Sequence, residues 1–114
     1  MEQQRRDSSK YITLRHEEHA ILEFDIARTV YKMDTYQGQE TSKKYWFTAR
    51  QLDCTNDEFR TFKPNEKSGA NILEFLKLNR TNVARIHRTG DAQKPVYQPS
   101  LISDEDIRAV DNFH

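Results

Sequence analysis

The sequence predicts a mainly β chain: a small barrel of five antiparallel strands, with one helix between the third and the fourth. Three observations predict it. Apolar and polar residues alternate over two long stretches, 20–26 and 43–52, as half-buried strands require. The period changes to a helical one only once inside the body, over 70–79. Clusters of Gly, Pro, Asn, Asp and Ser divide the rest into short segments.

Residues 1–10, MEQQRRDSSK, are polar, have no periodicity and read as a flexible arm. They lack the apolar run of a secretory signal. The first strand starts near Ile12, or after the HEEH stretch at 16–19, and runs to about Tyr31. Within it Ala20, Leu22, Phe24 and Ile26 share one face. HEEH invites a metal reading, which its spacing opposes. The zinc-protease pattern H-E-x-x-H places its histidines four apart on a helix. His16 and His19 are three apart, on opposite faces of an extended chain, and Cys54 stands alone. HEEH is therefore expected to be a polar turn, with no metal and no cofactor.

DTYQGQETS (34–42) reads as a long hairpin loop whose Tyr36 is placed to clamp a ligand. KKYWFTARQL (43–52) is the second strand. Tyr45, Phe47 and Ala49 lie on one face, and Lys44, Trp46, Thr48 and Arg50 on the other. DCTND (53–57) is a turn, EFRTF (58–62) a short third strand and KPNEKSG (63–69) a break. ANILEFLKLN (70–79) is an amphipathic helix, with Ser68 as N-cap and Asn79 closing it in the left-handed conformation. RTNVARIHRTG (80–90) is the fourth strand. PVYQPSLI (95–102) is the last, an edge strand by its prolines. Ser103 and Asp106 make a capping-box-like start for a short helix over 103–112.

This order of elements is that of the OB-fold. The division is an arm over 1–10, an OB-fold domain over 11–102, and an acidic tail or short helix over 103–114. The tail has two readings. An acidic end with Phe113 suits recruitment of a protein partner, whereas Ile107 and Val110 suit a helix docked on the body.

With 114 residues, one domain with a modest core is expected. One cysteine excludes an intrachain disulfide framework and fits a reducing, cytoplasmic compartment. No apolar run approaches the roughly 20 residues of a membrane helix, so no membrane is expected. The 18 basic and 18 acidic residues balance. The last twelve hold four acids and one base, leaving 17 basic against 14 acidic residues, a body of +3.

FRTF, ANILEFLKLN and VARIHRTGDAQKPVYQPSLI together resemble the back half of small archaeal and phage-type single-stranded-DNA-binding OB-fold proteins. Ala84, Ile86, Arg88 and Gly90 occupy that family's fourth-strand pattern, and Tyr97 its last strand. The resemblance covers about residues 10–102. HEEH stands where the family has a turn rich in Gly and Glu. The resemblance implies the fold and single-strand binding.

The choice of site residues rests on chemistry. Single strands are held by cations along the phosphates and by aromatic faces on which bases stack. Trp46 between Lys44 and Arg50 offers both, unless it packs beneath a loop or the arm. Phe59, Arg60, Phe62 and Lys63 repeat the pairing on the third strand; the two rings, three apart, lie on opposite faces, so one is core, and Phe62, which shares a face with Arg60, is taken as the binding ring. Arg85 and Arg88 extend the site on the fourth. Lys43 is a further phosphate candidate, or an edge guard. No catalytic constellation is found, so an enzyme is not expected. The expected function is non-sequence-specific binding of single-stranded DNA, or RNA as well. The alternative is an OB-fold adaptor subunit of a replication, repair or viral assembly.

Overall fold

The longest alternation in the chain becomes its longest strand. The computed structural model describes residues 10–114, and of residues 31–36 and 40–43 only the backbone. The expected arm over 1–10 thus lies, but for Lys10, outside the described residues. Strand β1 is His19–Tyr36, β2 Gln39–Gln51, β3 Arg60–Phe62, helix α1 Glu66–Leu78, β4 Val83–Gly90, β5 Pro95–Ser100 and helix α2 Asp104–Asp111. The five strands form one antiparallel sheet in the order β3-β2-β1-β4-β5. No described helix is long and apolar enough to cross a membrane.

The core follows the strand parity. Ala20, Leu22 and Phe24 of β1, Tyr45, Phe47 and Ala49 of β2, Phe62 of β3, and Ala84 and Ile86 of β4 are buried together with Ile72, Leu73 and Leu76 of α1. Its centre is aromatic. Phe24 meets Phe47 edge-on at 5.3 Å, Tyr45 stacks on Phe47 at 5.8 Å, and Tyr97 of β5 meets Phe62 edge-on at 5.2 Å. Each such pair contributes about 0.5–1.5 kcal/mol beyond the area it buries.

Three features depart from the expected reading beyond a shift of a few residues at strand ends. First, the long loop over 34–42 is a two-residue turn. Gln37 and Gly38 have φ of 52° and 81°, the two positive values that match a hairpin turn to strand twist. Second, β1 carries a large bulge. Asp25 pairs with Thr48 and Val30 with Trp46, so four residues of β1 stand opposite the single Phe47. Ile26, expected on the core face, is therefore exposed.

Third, α1 begins one turn early. Asn65 is the N-cap, accepting from the Ser68 amide at 2.8 Å. Ser68 is buried, and its hydroxyl accepts from the Tyr97 amide at 3.0 Å, tying α1 to β5. Gly69 belongs to the helix because a Cβ there would lie 2.5 Å from the Tyr45 ring. At the other end Asn79 has φ −94°, and the left-handed residue is Arg80 at 50°. The Arg80 amide donates to Lys77 O and the Thr81 amide to Leu76 O, a Schellman closure.

The segment before β1 runs from the edge strand β3 to β4. The Ile12 amide donates to Thr61 O at 2.8 Å, and Thr61 returns the bond to Lys10 O at 3.1 Å. Ile12 and Leu14 enter the core. The chain then reaches β4, where Glu17 and Glu18 exchange backbone bonds with Arg88. Within HEEH, His16 and Glu17 form a turn, with Glu17 at φ 63°, and His19 already opens β1.

Helix α2 carries a complete capping box between Ser103 and Asp106. The Asp106 Oδ1 also lies 3.9 Å from Arg85 Nε of β4. Replacing Phe62 by Ala should remove the keystone of the aromatic cluster and lower stability by about 3–5 kcal/mol, read as a shifted urea midpoint at unchanged slope.

Candidate nucleic-acid interface

Because Tyr45, Phe47 and Ala49 face the core, Lys44, Trp46, Thr48 and Arg50 must face outward. Trp46 is half-buried, with the Lys63 ammonium 4.9 Å from its ring centroid. Lys44 is exposed two residues before it. Arg50 lies at the far end of the same stripe.

A second aromatic ring joins them. Phe59, just before β3, is 41% exposed, and two guanidinium groups lie against it. Arg28 stands 4.9 Å and Arg50 5.4 Å from its centroid. Contacts of this kind are worth about 0.5–1 kcal/mol at exposed sites. Arg28 comes from the β1 bulge, which two side chains hold in shape. Thr48 Oγ1 donates to Arg28 O, and Thr29 Oγ1 to Asp25 O, both at 3.2 Å.

Each arginine is also oriented by a carboxylate. Glu23 Oε1 accepts from Arg50 Nε at 2.9 Å and Nη2 at 2.8 Å. Asp25 Oδ2 accepts from Arg28 Nε at 2.6 Å. Among the residues whose side chains are described, this face presents Arg28, Lys44, Arg50 and Lys63 as cations and Glu23 and Asp25 opposite them. An open groove of about 320 Å³ runs past Glu23, Asp25, Ile26, Phe59 and Asn82.

The structure keeps Lys44, Trp46 and Arg50 of the expected site on one face of β2 and gives the others different roles. Phe62 is 1% exposed in the core, so its ring offers no face to a base. It pairs with Phe47 across the strands and shares that residue's inward side. Arg60 has the same parity and is 8% exposed, its Nη2 3.8 Å from Cys54 Sγ. Arg88 donates from Nη1 to Leu14 O and fastens the segment before β1. Arg85 faces Asp106 of α2. These last two hold the fold together. The side chains of Tyr36 and Lys43 lie outside the described residues.

Sequence reasoning set Phe59 and Phe62 on opposite faces but took Phe62 as the outer ring, and it missed Arg28. Phe59 was legible in principle, since it shares parity with Thr61 and Lys63 and opposes the inward Phe62. Arg28 carried no signal, because only the bulge aims it at Phe59. Compared with known proteins, the chain matches no family model, no curated protein and no solved structure.

Phe59→Ala is expected to cost about 1–2 kcal/mol of stability, less than Phe62→Ala, since it removes a half-exposed ring and two cation–π contacts. Urea denaturation beside Phe62→Ala checks this contrast.

Proposed function

We propose that the protein binds single-stranded nucleic acid on the outer face of β1, β2 and the start of β3, in the manner of an OB-fold. One observation carries this reading. Two accessible aromatic rings, Trp46 and Phe59, stand on one sheet face with cations at both. Bases stack on such rings at about 1–3 kcal/mol each, and the lysines and arginines meet the phosphates. The OB-fold reading is supported by the strand order β3-β2-β1-β4-β5, by α1 lying between β3 and β4, and by the bulged β1 shared by both halves of the sheet. The Phe62–Tyr97 contact between the two edge strands supports closure into a barrel. DNA and RNA both fit this chemistry.

A second reading, a protein–protein adaptor, is favoured by a different surface. Leu101, Ile107 and Phe113 are all exposed at the C-terminal end.

Titrating the intrinsic fluorescence of Trp46 with a pyrimidine single strand tests the proposal. Quenching is expected, with affinity falling as salt rises. The logarithmic slope should be about −0.7 per phosphate engaged, hence roughly −2 to −3 for the cations on this face. Trp46→Ala should weaken binding about 5- to 150-fold, and Arg50→Ala should flatten the salt slope. Unchanged fluorescence and no mobility shift at low salt would overturn the proposal and leave the adaptor reading.

A further inference from the structure

The groove beside Phe59 has a hydrogen-bonding character that base stacking alone does not use. Glu23 directs one oxygen, Oε1, to both of its bonds with Arg50, and Asp25 directs only Oδ2 to Arg28. Each carboxylate therefore keeps a second oxygen that accepts no bond from any described residue. Both side chains are only about one-quarter exposed, at 26% and 29%, and both line the groove. The arginines fix their rotamers. The Asn82 backbone carbonyl accepts from the Phe24 amide at 2.7 Å, which fastens Asn82 beside the two carboxylates. Phe59 and Ile26 supply the apolar surface. The groove thus combines an aromatic face with two carboxylates that keep a free acceptor oxygen each, at a volume that admits one nucleobase.

We infer that this groove is a base-selective subsite, taking bases that present an exocyclic amino group and disfavouring those with a carbonyl in its place. The inference rests on the single-strand reading above. An ionised carboxylate only accepts hydrogen bonds. The N4 amino group of cytosine donates to it, the pairing by which Asp and Glu read cytosine in duplex grooves. Uracil places O4 at the same position, and two acceptors then face each other with neither satisfied, which is a costly arrangement in a partly desolvated groove. The carboxylates thereby act twice: they orient the arginines, and they discriminate the base lying on Phe59.

The test compares deoxycytidine and deoxyuridine homo-oligomers of about twelve nucleotides, within the usual span of one such domain, by fluorescence anisotropy at one low salt concentration. Wild type is expected to bind the cytidine oligomer about fivefold or more tightly than the uridine one. In Glu23→Gln/Asp25→Asn the amides both donate and accept, so the ratio should fall to within about twofold, while affinity for both oligomers rises as Arg28 and Arg50 turn to phosphate. Equal binding of the two oligomers by wild type, with binding still weakened by Trp46→Ala, would overturn the subsite and leave the stacking platform standing. A cytidine preference that survives the double substitution would also overturn it. Absence of binding to either oligomer would remove the single-strand reading itself, and the subsite with it.

Discussion

The inward burial of Phe47 governs what this protein can display. The ring is fully buried and touches Phe24, Tyr45 and Phe62. A strand has a period of two, so a slip of one residue would exchange every inward side chain for an outward one. Fixing Phe47 therefore fixes Trp46 and Thr48 on the far side and, through the same parity, Lys44 and Arg50. The same ring sets the register of β3, since Phe62 lies directly opposite. That pairing leaves Thr61 and Lys63 on the Trp46 side, which brings the Lys63 ammonium over the indole. The exposed face is thus a by-product of the core.

The electrostatics of that face are restrained. Arg28 and Arg50 are both held by carboxylates, so the net positive potential is small although four cations are present. In partly exposed ion pairs the Coulomb gain is about 0–1 kcal/mol, so Glu23 and Asp25 contribute little to stability. Their larger effect is geometric. A guanidinium anchored by a carboxylate presents its planar face to Phe59 in a fixed orientation, and less rotamer freedom remains to be lost on meeting a ligand. A chain whose charges sum to zero can still place cations beside aromatic rings on one face, while α2 carries four of its acids.

Much of the fold was legible. The order of strands and helix followed from periodicity, and the capping box at Ser103 and Asp106 followed from a short pattern. The outward face of β2 was read correctly because a single alternation ran unbroken through it. Legibility ended where tertiary packing decided between equal local options. Phe59 and Phe62 have the same chemistry, and only the facing Phe47 makes one of them core. Arg60 looked like a surface cation because arginine usually is one. Its long apolar stem allows it to lie inward, and the cross-strand pairing requires it to. The β1 bulge left no mark, since Ile26 continues the alternation of Ala20, Leu22 and Phe24 without a break. The hairpin turn was hidden by composition, because polar residues on both sides of Gly38 made strand resemble loop. Gly69 read as a breaker, yet its place in α1 reflects the nearness of the Tyr45 ring.

Asp106 joins two events that are separate in most short helices. Its backbone and one carboxylate oxygen close the capping box with Ser103, while the other oxygen faces Arg85 on β4. Eight residues are too few to sustain a helix in water alone, where nucleation outweighs the few hydrogen bonds gained. The carboxylate that starts the helix is also the one that meets the sheet. Helicity at the C-terminus therefore draws on the body of the fold as well as on its own capping residues.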